Sequence, residues 1–421
     1  MEVIVSLEQR FGGTSDGSVW ADVAASYSFW QRYLEVFEKV KVLARVADVP
    51  RVPETWVRAD GNDVTFIRVP HYLGALEYAR RFLQVRAAIR GVRFQESAVI
   101  MRVPSFIASH LTRMLLTASH PFGVEIVGDP YDVFAPGTIR HPLRPYLRWS
   151  LVRQLRQQCM RACAAAYVTE YTLQRRYPSK LYSVGVSDVH LPSAASLRAL
   201  DFETHFSSVD LRQGAFASGH RRYPGDEPRS PVRLLTVGSL EQPYKGIHHL
   251  LAALRQCTLR GLDVTLTVVG DGRTRSKLER QAVTLGLGER VTFLGKVPSG
   301  PALWVQMEEA DLFVLASLTE GLPRAMIEAM ARGMPCIGTH VGGVPELLAP
   351  EDIVPPGDPI ALSERILEVT RSKARLAKMS AANLAKAGEF HELKLHQRRL
   401  GFYRHLHDVT NGWLGSRKLI A

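Results

Sequence analysis

The stretch Ala310–Thr339, ADLFVLASLTEGLPRAMIEAMARGMPCIGT, holds a strand, a helix and a second strand in one run. The apolar run LFVLAS predicts a buried strand. The helix formers RAMIEAMARG follow Pro323, which suits the first turn of a helix because its missing N–H has no partner to lose there. Gly333 and Pro335 then end the helix before the apolar PCIGT. This order predicts a βαβ unit of a parallel sheet, with Glu320 at the carboxyl end of the first strand.

The same alternation extends over the whole chain. Short apolar runs that end in Gly, Pro or Asp are followed by helical patterns, which is typical of parallel sheets covered on both faces. The strand candidates are EVIVSL, KVKVLARV, VTFIRV, AVIMRV, VEIVGD and AAAYVT in the first half and RLLTVG, VTLTVVG, VTFLG, LFVLAS and PCIGT in the second. A chain of 421 residues also exceeds what one hydrophobic core usually serves. We therefore predict an α/β protein with two doubly wound, Rossmann-like domains facing a cleft.

Composition predicts where the two domains meet. Residues 217–231, ASGHRRYPGDEPRSP, are dense in Gly, Pro and charge, which favours a linker. We predict an N-terminal domain over 1–216 and a C-terminal domain over 232–388. A helix over 389–421 is expected to pack back toward the N-terminal domain. Its apolar side is expected to consist of Leu393, Leu400, Phe402 and Leu406.

Composition also limits the class of protein. Apolar residues make up 46% and charged residues 22% of the chain, as in an ordinary globular protein. No apolar run approaches the roughly 18 residues of a membrane-spanning helix, and the N-terminus is predicted to be a strand, so we expect a cytoplasmic protein. The four cysteines contain no CxxC pair. We interpret them as reduced core residues and expect no metal.

One segment of the chain is strongly basic. The net charge is +12, and residues 138–180 carry nine Arg or Lys against one acid, Glu170. Such a segment attracts phosphates. Its arginines spread around most of a helical wheel, which favours a solvated helix. The alternative is peripheral contact with the anionic inner membrane or with a lipid phosphate. We expect no nucleic-acid partner.

Two carboxylates flank the helix of the opening stretch. Glu320 precedes it, and Glu328 lies roughly 7 to 8 Å further along at about 1.5 Å per residue. A helix N-terminus preceded by glycine binds anions, usually phosphate. Carboxylates do not bind phosphate, so these two groups are expected to accept hydrogen bonds from hydroxyl groups on either side of it. A nucleotide sugar has this order of groups: sugar hydroxyls, a diphosphate and ribose hydroxyls.

Two further strand ends carry groups that suit such a ligand. In VGSLEQPYKG, Gly238 ends a strand and Lys245 opens the next helix, where its ammonium group would neutralise phosphates. An ordinary exposed lysine at a helix start is the alternative interpretation. The turn GDGRTR, which begins at Gly270, resembles part of a dinucleotide motif, but Arg275 stands where that motif has Gly or Ala. A tight turn into a helix is the favoured interpretation of this turn.

From Val232 to about Pro356 the chain resembles the donor-binding domain of GT-B-fold retaining glycosyltransferases of family 4 (glycosyl transferases group 1), in particular those of bacterial exopolysaccharide assembly. The motifs VGSL…YKG…LL, VVGDG…LE, RVTFLGKVP, the opening stretch and VGGVPELL occur in this order. The resemblance implies that Glu320 and Glu328 are the acids of the family's E-x7-E motif. Glu320 would then be a catalytic group near the donor sugar, and Glu328 would contact the ribose. Lys245 matches the family's phosphate-binding lysine and would be the second catalytic group.

The resemblance also implies the other donor contacts. The backbone of Gly321–Ala325 would line the sugar and diphosphate. Ser239 departs from the family, because many members have an arginine there; either Arg273 or Arg324 replaces that cation or turnover is slow. The predicted donor-binding residues are Gly12, Gly13, Gly238, Ser239, Lys245, Gly270, Lys296, Val297, Glu320, Gly321, Leu322, Pro323, Arg324, Ala325 and Glu328.

The N-terminal half resembles the family less. Gly12 and Gly13 would be the glycine pair that approaches the diphosphate after the first strand. Where the family often has a histidine after the AVIM strand, this chain has Arg102 and Ser105, and Asp129 falls where the family commonly has His-Asp. These three residues are the acceptor-side candidates. The residue that activates the acceptor is not assigned.

The sequence therefore predicts a retaining, metal-independent hexosyltransferase without a cofactor. Its substrates would be a nucleoside diphosphate sugar and a saccharide or lipid-linked saccharide, with a role in cell-surface or exopolysaccharide synthesis. Two alternatives stay open at this point. One is a nucleotide-sugar epimerase of the same fold, and the other is a catalytically silent partner subunit that binds nucleotide, because Ser239 and the missing histidine would suit such a protein.

Overall fold

The computed structural model describes residues 1–21, 25–54, 56–135, 142–180, 202–205, 211, 213–223 and 230–418. Parts of three predicted segments lie outside these residues: 224–229 of the linker, 138–141 of the basic segment and 419–421 of the last helix. The strands are β1 (Glu2–Gly13), β2 (Val19–Ala21), β3 (Lys39–Asp48), β4 (Val57–Arg58), β5 (Val64–Pro70), β6 (Ala98–Val103), β7 (Gly123–Ile126), β8 (Ala164–Tyr167), β9 (Phe202–His205), β10 (Val232–Val237), β11 (Val264–Val269), β12 (Val291–Gly295), β13 (Leu312–Leu315), β14 (Cys336–Thr339) and β15 (Ile353–Val354).

Helices connect these strands. They are α1 (Tyr27–Leu34), α2 (Gly74–Arg90), α3 (Phe106–Thr117), α4 (Pro130–Val133), α5 (Arg144–Arg161), α6 (Thr172–Arg176), α7 (Ile247–Leu259), α8 (Arg275–Thr284), α9 (Pro301–Glu309), α10 (Arg324–Ala331), α11 (Val344–Leu347), α12 (Pro359–Thr370), α13 (Lys373–Ala387) and α14 (Glu392–Lys418).

The N-terminal sheet has, within the described ranges, nine strands. Seven of them run parallel in the order β5-β3-β1-β6-β7-β8-β9. The short β2 and β4 join antiparallel at the end of β1. The strand order reverses between β1 and β6. The carboxyl ends of these two strands therefore form the crevice where ligands bind in such sheets.

The C-terminal sheet is parallel, with the order β12-β11-β10-β13-β14-β15. Neighbouring side chains of its strands enter separate cores on its two faces, as Leu234 and Leu235 of β10 do. Here the strand order reverses between β10 and β13. These are the strands that precede Lys245 and Glu320.

All of the predicted strands are present, and most of their ends agree to within one or two residues. The largest differences are β1, which continues from Leu7 to Gly13, and β7, which ends at Ile126. The sequence patterns missed β2, β4, β9 and β15, which are two to four residues long. Segments this short do not carry a readable alternation of apolar and polar residues.

Helix α14 returns to the N-terminal domain, where Phe402, Tyr403 and Leu406 are buried in the same core as residues of β1 and β3. Phe402 lies where a Cβ on Gly123 of β7 would sit, so a glycine in this strand leaves room for the helix. The predicted apolar side needs one correction. Leu393 is 64% exposed, and Leu395 is buried instead.

The described part of the predicted linker, 217–223, packs against the C-terminal domain. Ala217 donates its N–H to the Ala331 carbonyl at 2.8 Å. The guanidinium of Arg221 donates to the carbonyls of Met307, at 2.6 Å, and Arg332, at 3.3 Å. These residues therefore lie on the C-terminal domain rather than between the domains.

Candidate active site

The centre of the candidate site is an ion pair between Lys245 and Glu320. Lys245 Nζ lies 2.6 Å from Glu320 Oε1, and Ser317 Oγ donates to the same oxygen at 2.6 Å. The Glu320 side chain is only 8% exposed and that of Lys245 18%. The two residues follow β13 and β10, which are neighbours at the point where the strand order reverses. The structure thus brings together the two groups that the sequence placed 75 residues apart.

Backbone contacts hold the two loops of this pair together. Leu318 donates its N–H to the Tyr244 carbonyl at 2.7 Å. Gly246 has φ +67°, and a Cβ there would overlap the Ala316 carbonyl oxygen. Only glycine takes up this conformation and this close approach without strain. Lys245 is therefore held against the Glu320 loop by main-chain contacts of its own loop as well as by its side chain.

The glycines of the neighbouring strand ends serve the same close packing. Gly270 has φ +137°, and a Cβ there would overlap the Gly238 carbonyl oxygen. A Cβ on Gly238 would in turn lie 3.2 Å from the Cδ of Lys245. The N–H of Gly270 donates to the carbonyl of Gly295 at 2.8 Å. Gly238 and Gly270 therefore allow the Lys245 side chain and the neighbouring strand ends to pack closely. The residues GDG, 270–272, form a tight turn before α8.

Helix α10 begins directly beside the ion pair. Pro323 is its N-cap residue with φ −75°, and Arg324 is its first residue and is exposed. Gly321, Leu322 and Ala325 are partly buried around this start. The helix N-terminus, which favours anions, thus lies next to Glu320 and the cationic Lys245.

Glu328 lies one turn further along α10 and differs from Glu320 in its surroundings. It is partly buried, and burial raises the pKa of its carboxyl group, an effect that the charge of Arg324 reduces. Within the described part of the chain, no hydrogen-bond or ion-pair partner of this carboxylate is present. A desolvated carboxylate without a partner is a strong acceptor for hydroxyl donors.

Other predicted donor residues lie nearer the surface. Lys296 is exposed, and Val297 packs partly buried against one of the C-terminal cores. Ser239 is exposed, and its Oγ accepts the Glu241 N–H at 3.3 Å. Arg273, one of the two expected substitutes for a cation at position 239, pairs with Glu241 at 2.9 Å.

The predicted glycine pair lies elsewhere than expected. Gly12 and Gly13 are inside β1 rather than after it, and they pair with β2 on one side and with β3 on the other. A Cβ on Gly12 would meet the Trp56 ring, and one on Gly13 would overlap the Arg68 guanidinium. The structure therefore gives these glycines a packing role within the sheet, because their main chain is part of its hydrogen-bonded ladder.

Arg102 also has a role other than the expected one. Its guanidinium pairs with Glu125 at 2.5 Å, and that carboxylate is 2% exposed. Tyr33 donates to Glu125 at 3.0 Å and Tyr403 of α14 at 3.4 Å. Arg102 thus neutralises a buried carboxylate under the C-terminal helix instead of facing an acceptor.

Asp129 is likewise occupied. It caps α4 by accepting a hydrogen bond from the Tyr131 N–H at 2.8 Å. It also accepts a hydrogen bond from the Tyr177 hydroxyl at 2.5 Å and forms an ion pair with Arg176. Only 3% of the residue is exposed. Its carboxylate therefore joins α4 to α6 and is a structural group.

Ser105 leads to a carboxylate that the sequence did not indicate. Ser105 caps α3, and its hydroxyl donates to Glu8 Oε1 at 3.1 Å. Glu8 also accepts the Tyr72 hydroxyl proton at 2.9 Å and the Ile107 N–H at 3.0 Å, and it pairs with Arg45 at 3.2 Å. Glu8 lies in the irregular part of β1, at the point where strand order reverses in the N-terminal sheet. Glu8 directly follows the predicted strand EVIVSL, and its position at that strand end was the one available signal.

The two domains meet beside Glu320. A Cβ on Gly321 would lie 3.6 Å from the Val127 carbonyl oxygen, just after β7. Glu346 of α11, which the sequence analysis did not single out, accepts hydrogen bonds from main-chain N–H groups at the start of α6. The carboxyl edges of both sheets thus border the same cleft.

No helix among the described residues is both long enough and apolar enough to cross a membrane. The His, Cys, Asp and Glu side chains of those residues form no group of three or more that could hold a metal ion.

The profile of the family described as glycosyl transferases group 1 matches residues 231–372. The chain is 25% identical over 358 residues to protein CapJ from Staphylococcus aureus, across 83% of this chain and 82% of CapJ. It is 31% identical over 293 residues to 2-deoxystreptamine glucosyltransferase from Streptomyces kanamyceticus, and the match covers 64% of this chain and 69% of that protein. It is 30% identical over 170 residues to the amylovoran biosynthesis glycosyltransferase AmsK from Erwinia amylovora, across 38% and 41%.

A solved structure of sucrose-phosphate synthase from Thermosynechococcus elongatus has the same fold. The TM-score is 0.67 at 17% identity, and the match covers 97% of this chain and 100% of that chain. Two facing Rossmann-like domains with a site at the carboxyl edge define the GT-B class. Within it, the chain belongs to the glycosyl transferases of group 1, and it is a glycosyltransferase.

Proposed function

We propose that the protein transfers a hexose, with retention at the anomeric carbon and without a metal ion, from a nucleoside diphosphate sugar to a hydroxyl group of a saccharide or lipid-linked saccharide. The observation that carries the proposal is the order of groups along α10. The Lys245 ammonium group and the N–H groups at the helix start offer hydrogen-bond donors for a diphosphate. Glu328, which has no partner among the described residues, lies one turn beyond as an acceptor for ribose hydroxyls.

In this mechanism the chain stabilises the leaving group. Departure of the nucleoside diphosphate builds negative charge on its terminal phosphate, and Lys245 and the N–H groups at the start of α10 are already oriented toward that charge. Glu320 holds Lys245 in place through the 2.6 Å contact and accepts hydrogen bonds from the donor sugar. The leaving phosphate takes the acceptor proton on the same face of the donor, which gives retention.

The biological role is proposed from relatives. The name of AmsK places that protein in amylovoran biosynthesis, and the match to it covers 38% of this chain. We infer a role in cell-surface or exopolysaccharide synthesis for this chain too.

Peripheral membrane contact is part of the proposal. Along α5, Tyr146 and Trp149 are each 60% exposed and Leu143, directly before it, is 58% exposed. Arg153 and Arg156 lie on the same helix. The start of α5 is close to the cleft, because Arg148 donates to the Tyr131 carbonyl on α4, at 2.8 Å, and α4 follows β7. Exposed aromatic and basic side chains suit an anionic lipid surface at the cytoplasmic face, next to which a lipid-linked acceptor would enter.

The test of donor binding is a thermal-shift series with UDP, GDP, ADP and their sugars, on the full chain and on Glu328→Ala. One nucleotide class should raise the melting temperature of the wild type, and the substitution should remove most of that shift. Glu309→Ala, at an exposed glutamate of α9, is the matched control and should keep it. Equal shifts in wild type and Glu328→Ala would contradict the ribose assignment.

The test of chemistry uses the stabilising donor with an extract of lipid-linked and free saccharides. We expect release of nucleoside diphosphate only with an acceptor, unchanged by EDTA, and a product whose anomeric configuration, read by NMR, equals that of the donor. An epimer formed from the donor alone would support the epimerase instead. Binding without turnover in any extract would support a silent subunit.

The membrane contact is tested separately by co-sedimentation with vesicles. Binding to vesicles that contain phosphatidylglycerol should exceed binding to phosphatidylcholine alone, and Trp149→Ser or Arg153→Ser should weaken it. Arg86→Ser, at an exposed arginine of α2, is the control. Equal binding by all variants would refute a contact through α5.

A further inference from the structure

The carboxylate of Glu346 reaches across the domain boundary. It accepts hydrogen bonds from three consecutive main-chain N–H groups of the N-terminal domain. These are the N–H groups of Glu170 at 2.5 Å, Tyr171 at 3.2 Å and Thr172 at 2.7 Å. The residue is 8% exposed. The hydroxyl of Tyr171 also donates to the Pro345 carbonyl at 3.0 Å. One side chain of the C-terminal domain therefore holds the start of α6.

This contact suits both partners chemically. The first N–H groups of a helix have no acceptor within the helix, and a carboxylate satisfies them while favouring the positive end of the helix dipole. The carboxylate in turn obtains the charge-assisted hydrogen bonds that a buried anion requires. The other end of α6 is anchored in the N-terminal domain, since Arg176 pairs with Asp129 and Asp132. The helix therefore moves with that domain.

The segment that carries Glu346 also touches the Glu320 loop. Gly342 has φ +49°, and a Cβ there would overlap the Glu320 carbonyl oxygen. Gly343 donates its N–H to the Gly321 carbonyl at 2.7 Å. A Cβ on Gly343 would lie 2.7 Å from Leu322 Cδ1 and 3.2 Å from Thr169 Cγ2 of the N-terminal domain. Residues 342–346 thus fit between the donor loop and the start of α6.

We propose that Glu346 is a positioning residue that couples closure of the two domains to the placement of the Glu320–Gly321 loop. Its carboxylate bonds to the start of α6 and not to Lys245. In this structure its three hydrogen bonds fix α11, and the two glycines fix the donor loop against α11. The inference rests on the proposed function for the identity of the ligand, but the coupling itself is a property of the chain.

The experiment is hydrogen–deuterium exchange with mass spectrometry on the full chain and on Glu346→Gln. We expect exchange to accelerate about tenfold in peptides that cover 168–175, where the accepting oxygen is lost, and by a smaller factor in those that cover 318–324. Lys386→Met is the matched control. It removes a 3.5 Å ion pair of Lys386 with Glu170 across the same boundary and should change neither peptide appreciably.

A second variant tests the coupling from the other side. Gly342→Ala adds a methyl group against the carbonyl oxygens of Glu320 and Gly321, on the side of the donor loop, and it should accelerate exchange at 168–175 as well as at 318–324, because coupling between sites is reciprocal. Acceleration confined to the mutated side in both variants would overturn the proposal and leave an ordinary interface contact. A melting temperature for each variant shows that it is folded.

The nucleotide arm separates this proposal from the proposed function. With whichever of UDP, GDP or ADP stabilises the wild type, protection should extend to 168–175. In Glu346→Gln the nucleotide should still bind, but its protection against exchange should be limited to 318–324. Protection of both segments in the variant would overturn the coupling. Absence of any nucleotide effect in the wild type would contradict the proposed donor instead and leave the coupling to be decided by the two variants above.

Discussion

The two domains share one topology but treat their polar groups at the carboxyl edge differently. In the N-terminal domain Arg102, Asp129 and Glu8 are satisfied by neighbouring side chains and main-chain N–H groups. In the C-terminal domain Lys245 and Glu320 satisfy each other at the mouth of the cleft, and Glu328 has no partner among the described residues. The named carboxylates of the N-terminal edge therefore hold the fold together, whereas Glu328 of the C-terminal domain is placed to receive hydroxyl groups.

This difference shows that a polar group at a strand end is weak evidence of function by itself. Whether its hydrogen bonds are already complete within the protein must be known as well. A buried polar group whose hydrogen bonds are complete stabilises the native state, and breaking one of its bonds is expensive. A group left incomplete lowers stability and is retained where a ligand completes it. Substitutions on the two sides should therefore separate activity from stability.

The largest effect is expected from Lys245→Ala. Removal of the ammonium group that faces the leaving phosphate should lower kcat about 10²- to 10³-fold. The melting temperature should fall less than in the Arg102 variant described next, because Glu320 is more exposed than Glu125, keeps its hydrogen bond from Ser317, and lies in a loop that stays fixed by the Leu318–Tyr244 contact. Nucleoside diphosphate release measures the rate. Lys277→Ala, at an exposed lysine of α8, is the control, and a Lys245→Ala enzyme within tenfold of wild type would exclude the catalytic role.

Arg102→Met should show the opposite pattern. It leaves Glu125 buried without its cation, so we expect a loss of about 3 kcal/mol in the free energy of unfolding of the N-terminal domain. The nucleotide-induced shift in melting temperature should persist. Denaturant unfolding, followed with and without nucleotide, measures both quantities, with Arg86→Met on the surface of α2 as control. Loss of nucleotide binding in a stably folded Arg102→Met would place this residue in the site after all.

The C-terminal site was predictable because its signals are local in sequence. The strand, Pro323 and the helix formers up to Gly333 place Glu320 and Glu328 without knowledge of the tertiary structure. The approach of Lys245 follows from the rule that neighbouring parallel strands end at one edge. The predicted alternation of strands and helices was correct for the same reason, since each element carries its own periodicity.

The N-terminal candidates were not predictable, because their roles depend on partners far away in sequence. Arg102 meets Glu125 23 residues on, and Tyr403 approaches that carboxylate from α14, 278 residues on. Gly12 and Gly13 were expected after the first strand because the resemblance to the family implies a glycine pair there, but pairing with β2 and β3 extends the strand through them. Tertiary context overrides local preference at such positions.

A third prediction concerns Glu328 and pH. Burial raises the pKa of this carboxyl group in the folded chain, so the folded state holds the proton more tightly than the unfolded state. Stability from this group is therefore present below the unfolded pKa and is lost as pH rises through the folded pKa. Glu328→Gln removes that loss and should raise the melting temperature at neutral pH relative to wild type, with no gain at acidic pH, where the carboxyl group of the wild type is protonated in both states.

Melting temperatures across that pH range check the prediction. The same protonation should weaken nucleotide binding by the wild type as pH falls, because the neutral acid is a poorer acceptor. Glu309→Gln on α9 is the control. A gain in Glu328→Gln that is the same at every pH would show that packing, and not desolvation of the charge, sets the stability of this position.

The smallest effect is expected where the chain departs from its family. Ser239→Arg restores the cation that many relatives carry after Gly238. Arg273 pairs with the neighbouring Glu241, and both side chains are well exposed, so this pair supplies little fixed charge to a diphosphate. A new arginine at an exposed position should raise nucleotide affinity about threefold at low salt, and the gain should shrink as ionic strength rises. Calorimetric titration at two salt concentrations checks this, with Ser239→Ala as the matched control. If affinity falls in Ser239→Arg and Ser239→Ala alike, the serine hydroxyl itself contacts the diphosphate and the cationic clamp is complete without it.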